Sequence, residues 1–230
     1  MHPARRYNYW LGGQDHGPAD RASGDAIAAA FPIVAEMARA NRRFLGHSVA
    51  FLAGQGVRQF LDIGTGLPAP GDIAHVVPGS KVFYVDNDPV VSARMIGRPY
   101  LEADVRDPEK ILRGQTLDLT QPVGLVMLTV LHFVHDDTEA AHAVRTLLRA
   151  LAPGSWMVLT HGTMDFSTPA GVAAYEKMFA AGGTDVRART KAEISGYFAG
   201  TELVPPGLGP VDQALVTNDL NIYAGVGRKL

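Results

Sequence analysis

Apolar positions recur at steps of three, four and seven along Ile33, Val34, Met37, Ala38, Phe44, Leu45, Val49 and Leu52. That spacing puts them on one face of an amphipathic helix. Pro32 suits a first helical turn, and Gly54 and Gly56 close the run. The pattern predicts a helical N-terminal cap over residues 1–56. From Arg58 the period shortens. β-Branched or aromatic runs at Gln59–Ile63, Val82–Asp86, Tyr100–Ala103, Val123–Val130 and Trp156–Thr160 alternate with helical stretches. The fourth run is apolar almost throughout, as a strand covered on both faces requires. Strands alternating with helices predict right-handed βαβ units and an α/β, doubly wound parallel sheet.

The helix after the fourth strand is framed by Asp136 and Glu139 at its start, Arg145 and Arg149 toward its end, and Pro153-Gly154 beyond. After Gly162 the alternation loosens. Helices are expected over Pro169–Ala181 and Lys191–Ala199, the second opened by a Thr190/Glu193 capping box. Two late strands, Glu202–Val204 and Asn221–Val226, flank the bend at Pro205-Pro206-Gly207 and complete the sheet in antiparallel sense. No linker divides the core, which is expected to run from residue 57 to 230.

Composition narrows the classes. The chain has 230 residues and no cysteine, which excludes disulfides, thiolate metal sites and a cysteine nucleophile. Lys and Arg number 21 against 23 Asp and Glu, with no long run of either sign, so no nucleic-acid or membrane-surface footprint is expected. No run approaches the roughly 18 apolar residues of a membrane span, and Met1–Gly13 lacks the apolar region of a secretory signal. The expectation is a cytoplasmic globular protein.

In open α/β sheets ligands bind beyond the carboxyl ends of the strands, where strand order reverses. The first strand ends in Asp62-Ile63-Gly64-Thr65-Gly66, whose glycines allow a sharp turn and close ligand approach. Asp86, 22 residues after Gly64, ends the second strand at the spacing that puts a carboxylate on a ribose diol. Asp104 follows the third strand, where it could accept from an adenine amino group. A nicotinamide dinucleotide competes for this turn, since Gly64 to Ala69 satisfies the relaxed G-x-G-x-x-A pattern. A pyrophosphate, however, needs a helix N-terminus directly behind the turn. Pro68, Pro70 and Gly71 delay one, and Asp62 would repel phosphate while suiting an ammonium. S-Adenosylmethionine carries an ammonium, a ribose diol and an adenine without phosphate, and is the expected cofactor.

Two histidines end strands on the ligand side, His132 and His161, and are the candidate general bases. His132 and His135 stand near Asp136 and Asp137, but both acids are explained as helix caps and no metal is expected. Tyr7, Tyr9 and Trp10 form either a lid or ordinary helix packing. Phe166, Tyr175, Met178 and Phe179 either line a pocket or belong to the core.

Several of these segments are familiar. Val130 to Val134, the capped helix and Leu151 to Ser155 resemble the fourth strand and following helix of class I S-adenosylmethionine-dependent methyltransferases, a Rossmann-like fold. More narrowly, Tyr7–Gly13, Arg39–Leu45, Arg58–Pro68, Tyr84–Val91, Glu102–Pro108 and Gly225–Lys229 resemble an actinobacterial family of such enzymes, first catalogued as a domain of unknown function. The resemblance spans nearly the whole chain. It implies that Asp62, Gly64, Thr65 and Gly66 line the methionine moiety, and that Asp86 binds the ribose with Asn87 beside it. It also implies that Asp104 and Val105 meet the adenine, that Thr129 and Val130 contact the cofactor from the fourth strand, and that Tyr7 and Asn41 close over it. Residues 162–200 would build the acceptor site or lid. Two departures stand out: the segment from Asp86 to Asp104 is short, costing its helix about two turns, and Gln14-Asp15-His16 replaces the family's usual lysine, aspartate and asparagine.

The implied activity is O- or N-methylation of a small-molecule acceptor, with a homo-oligomer compatible. A fold fixes binding rather than chemistry. Non-methylating cyclisation or rearrangement with the same cofactor, or a non-catalytic regulator, therefore stand as alternatives.

Overall fold

In the computed structural model, residues 2–212 and 220–230 are described. Five parallel strands follow the expected runs: β1 (Gln59–Ile63), β2 (Lys81–Asp86), β3 (Tyr100–Glu102), β4 (Gly124–Leu128) and β5 (Trp156–Gly162). β6 (Thr201–Leu203), β7 (Gly209–Pro210) and β8 (Ile222–Lys229) complete the sheet, whose order is β3-β2-β1-β4-β5-β8-β6 with β7 on β8. β8 runs antiparallel between β5 and β6. Strand order reverses at β1, which pairs with both β2 and β4, so the carboxyl ends of these three strands frame the crevice.

Side-chain alternation sends each strand's residues to two apolar layers. Leu61, Ile63, Leu125, Met127, Met157 and Leu159 meet α7 (Asp137–Ala150) and the helices α6 (Pro108–Gly114) and α9 (Lys191–Ser195). Phe60, Val82, Val126, Trp156 and Val158 face the other way, onto Leu45, Val49 and Leu52 of α3 (Val34–Gly54) and onto Ile73 of the four-residue α4 (Ile73–Val76). α3 is therefore a layer of the core as well as part of the N-terminal helical segment. The shorter helices α1 (Pro3–Trp10) and α2 (Pro18–Ala30) join α3 around the mouth of the crevice.

Several boundaries differ from the sequence pattern by a residue or more, four of them for a clear local reason. β4 stops at Leu128 because Thr129 turns into the left-handed region at φ 50°, its N–H bonded to the Thr160 carbonyl at 3.0 Å. β5 runs on to Gly162 because β8 pairs with it over its full length. β8 in turn reaches Lys229 because β6 covers its far end. The helix expected over Lys191–Ala199 tightens into a 3-10 turn at Gly196–Phe198. The short α5 (Pro89–Arg94) matches the two missing turns. Among the described residues no helix is long and apolar enough to cross a membrane.

Asp88 fastens α1 to this frame. It is fully buried and caps α5 by accepting from Val90 N–H at 3.0 Å. The same carboxylate accepts from Arg5 Nε at 3.0 Å and meets His2 Nδ1 at 3.1 Å. Asp88→Ala is expected to cost about 2 kcal/mol or more, because it removes a helix cap and leaves Arg5 without its acceptor. Denaturant titration measures the loss. Limited proteolysis should show cleavage before α2 sooner than in the wild type, and unchanged cleavage would contradict the fastening role.

Candidate cofactor and acceptor site

A cavity of about 340 Å³ opens where the carboxyl ends of β1, β2 and β4 meet the N-terminal helices. Gly64 has φ 70° and Gly66 φ 68°, both left-handed, so the turn suits glycine at each. A Cβ at Gly64 would lie 2.6 Å from Val130 Cγ2, whereas one at Gly66 would meet nothing within 4 Å. Gly64 is thus a packing glycine that seats Val130 on the turn, and Gly66 opens toward the cavity. α4 begins only at Ile73, capped by Asp72, so no helix N-terminus stands directly behind the turn.

Three acidic side chains ring this end. Asp62 is buried, and desolvation pushes its carboxyl up to about 6, against the opposing Thr65 hydrogen bond and Arg42 charge. Asp86 accepts from Gly66 N–H at 2.8 Å and from Asp88 N–H at 3.0 Å, which leaves one lone pair on each oxygen for a diol. Burial raises its carboxyl too, partly offset by those backbone donors. Asp104 sits at the third strand end with Val105 beside it. Arg106 clasps it with Nε and Nη2, each at 2.8 Å, and Asn87 Nδ2 donates at 2.8 Å. The Arg106 guanidinium holds that carboxyl down at about 2.

Over the turn, Asn41 joins elements far apart in sequence. Its Nδ2 donates to Tyr7 Oη at 3.1 Å and to Thr129 Oγ1 at 3.2 Å, and its Oδ1 accepts from Thr160 Oγ1 at 2.8 Å. Tyr7 donates onward to the Ala38 carbonyl at 2.9 Å, and burial pushes its phenol up to about 12. A left-handed β-branched residue such as Thr129 is an outlier costing roughly 1–3 kcal/mol, and here the Asn41 amide, the Thr160 carbonyl and the Thr160 hydroxyl hold it. The cavity wall therefore gathers Tyr7, Asn41, Asp62, Gly64, Thr65, Gly66, Asp86, Asn87, Asp104, Val105, Thr129 and Val130, together with His132.

His161 is the exception and a correction. Its side chain follows Met157 and Leu159 onto the α7 face, is fully buried, and does not line the cavity. Its Nδ1 donates to the Gly162 carbonyl at 2.8 Å and its Nε2 accepts from Arg189 Nη1 at 3.0 Å, so neither nitrogen is free for a substrate proton. Burial brings its imidazole down to about 4. Asp137 also departs from expectation. Asp136 alone caps α7, while Asp137 pairs with Arg187 and Arg189.

Arg189 carries no local sequence signal. It is buried, and donates to the Leu131 carbonyl at 3.2 Å and the Val134 carbonyl at 2.8 Å, fixing the turn that carries His132. Gly162 N–H donates to His132 Nδ1 at 3.3 Å, which puts the neutral ring's proton on Nε2. Burial, then the charges of His161, Arg189 and Arg6, hold that ring far below its usual range. Arg6, Arg42 and Arg106 are further cavity residues without a local sequence signal. Of the aromatic candidates, Tyr7, Trp10 and Tyr175 reach the cavity, whereas Phe166 packs on Tyr223 at a 4.7 Å ring separation. Among the described residues no three His, Asp or Glu side chains converge as a metal site.

The profile of the S-adenosyl methyltransferase family matches residues 1–230. The chain belongs to that family. As an S-adenosyl methyltransferase it takes S-adenosylmethionine as cofactor, and the cavity fits: a desolvated carboxylate at Asp62 suits an ammonium, and Gly66 leaves room where a side chain would intrude. The crystal structure of a DUF574-family protein from Streptomyces avermitilis MA-4680 is 38% identical, with a TM-score of 0.90 over 100% of this chain and 98% of that one. A candidate methyltransferase from Thermobifida fusca YX is 33% identical, with a TM-score of 0.85 over 99% and 94%. The N-methyltransferase NodS from Bradyrhizobium japonicum WM9, in complex with S-adenosyl-L-homocysteine, shares the fold at 14% identity, with a TM-score of 0.53 and 98% of each chain covered. No curated protein matches the sequence.

Asp62 ties cofactor binding to pH. Its rise from 3.8 to about 6 withholds on the order of 3 kcal/mol of stability at neutral pH, regained as pH falls through 6 toward 3.8. Asp62→Asn should therefore melt higher than the wild type at pH 7.5, with the gap narrowing by pH 4, yet bind S-adenosylmethionine at least about 10-fold more weakly. Wild-type affinity should itself fall below pH 6 as the carboxylate is protonated. Thermal melts and calorimetry across pH check both, and unchanged affinity in the variant would remove the ammonium assignment.

Proposed function

We propose that this methyltransferase acts on an oxygen or nitrogen of a small, largely apolar acceptor. One observation carries the reading: a single cavity has an acidic end at the strand termini and an apolar end beneath the N-terminal helices. Ile27, Phe31, Met37, Met164 and Ile222 line the second end, and His132 is among the polar groups of the wall. Residues 162–200 contribute Thr163, Met164, Tyr175 and Val186 to that wall, which supports their role as the acceptor side. Such lining by apolar side chains around a few polar groups suits small-molecule ligands.

S-Adenosylmethionine supplies an electrophilic methyl group on a sulfonium. The protein's share is to align an acceptor lone pair and exclude water, and orientation of this kind contributes roughly 7–11 kcal/mol toward a barrier. Asp62 and Asp86 fix the two ends of the cofactor's sugar and tail. His132, neutral with its proton on Nε2, positions the acceptor as a hydrogen-bond donor and is not the general base that its strand-end location suggests.

The test is release of S-adenosylhomocysteine with a panel of aromatic and aliphatic hydroxyls and amines, alongside duplex DNA, tRNA and protein substrates. Turnover with the small molecules alone is expected, and turnover confined to the macromolecules would reject the reading. With a working acceptor, His132→Ala should lower kcat about 10- to 100-fold while leaving cofactor affinity within twofold. His132→Gln, which keeps a donor, should recover part of the loss. A wild-type rate limb near pH 6.5 that vanishes in His132→Gln would restore the base.

A further inference from the structure

Arg42 follows Asn41 on α3 and lines the cavity. Among the described residues it has no hydrogen-bond or ion-pair partner, and its Nη2 is buried without one. The other two arginines of the cavity wall are paired, Arg6 with Asp185 and Arg106 with Asp104. A guanidinium nitrogen withdrawn from water and left without an acceptor is costly, which marks the position as awaiting one. Its charge is felt at Asp62 and at Tyr7, which places it at the glycine-turn end of the cavity rather than beside Asp104.

The side-chain alternation of β1 gives the same picture. Phe60 and Asp62 face α3, whereas Leu61 and Ile63 face α7. One carboxylate, buried, and one guanidinium, buried at its Nη2, therefore border the same corner and are not bonded to each other. An α-amino acid carries an ammonium and a carboxylate on one carbon, so it presents opposite charges a few ångströms apart. We infer that Arg42 binds the carboxylate of the cofactor's methionine moiety while Asp62 takes its ammonium. The assignment rests on S-adenosylmethionine being the cofactor, and goes beyond it by naming the group that reads the tail. The planar fork of arginine matches a carboxylate in two parallel hydrogen bonds, which a lysine cannot reproduce. An anionic acceptor is the competing occupant. It is disfavoured because Arg42 shares its corner with the Asp62 carboxylate, so a ligand held there meets both charges.

Three ligands separate these possibilities: S-adenosylhomocysteine, its decarboxylated analogue, which keeps the amine, and 5′-methylthioadenosine, which has neither charge. Each is titrated calorimetrically into wild type, Arg42→Ala and Arg42→Lys. Arg42→Ala should bind S-adenosylhomocysteine about 10- to 100-fold more weakly, with Arg42→Lys in between. Both variants should bind the decarboxylated analogue and methylthioadenosine within twofold of the wild type, which also shows that they fold. Unchanged affinity for S-adenosylhomocysteine overturns the inference and leaves the cofactor in place. Equal weakening of all three ligands overturns it as well, since Arg42 would then act only on the shape of the pocket. Failure of the wild type to bind any of the three removes the cofactor assignment and the inference with it.

Discussion

The hydrogen bonds of the Asn41 side chain tie two N-terminal helices to the ends of the paired strands β4 and β5. One amide reaches Tyr7 on α1, Thr129 at the end of β4 and Thr160 on β5. Each partner does something for the cavity. Tyr7 brings the first helix over it, Thr129 is kept in a backbone conformation it would otherwise leave, and Thr160 secures Thr129 a second time through its hydroxyl at 3.0 Å. Because Val130 sits against Gly64 immediately after that forced turn, the shape of the glycine loop depends on an asparagine in a helix that precedes it. An amide is suited to this place, since it donates and accepts at once and its burial is tolerable only when both functions are used.

Charge organises the rest. The acidic strand ends point into one chamber, and burial raises two of them instead of letting them relax into ordinary ion pairs. Asp104, held by Arg106 and Asn87, is the counterexample and forms a pre-set edge. A parallel sheet concentrates these groups because all its carboxyl termini face the same way. The apolar layers on either side, set by strict alternation along β1, β4 and β5, keep the end rigid. Stability is thus withheld at Asp62, where a ligand would restore it, and supplied by side chains that never touch the ligand.

Much of this was legible from local pattern. The strands announced themselves as β-branched runs, and the acids at their ends followed from the rule that ligands bind there. Asp88 stands before Pro89, a position suited to a helix cap, but nothing local points to Arg5, 83 residues away. Arg42 and Arg189 look like solvated positions because charge on a helix face or in a loop usually is. His161 could have been placed correctly. Counting by twos from Met157 and Leu159 is what assigns it to the α7 face, away from the ligand, whereas its position at a strand end suggests the opposite.

The ties of α1 have a temporal consequence. Arg5 needs Asp88, and Arg6 pairs with Asp185, 179 residues further along the chain. During synthesis the first helix leaves the ribosome long before the second of these acids exists. It must wait, with Arg6 still unpaired, while the parallel strands assemble beneath it. Contacts of such long sequence separation form late because their loop closure is opposed by chain entropy. The segment translated first thus depends on one translated late: a nascent chain that ends between residues 162 and 185 carries the five parallel strands but lacks the acid that pairs with Arg6.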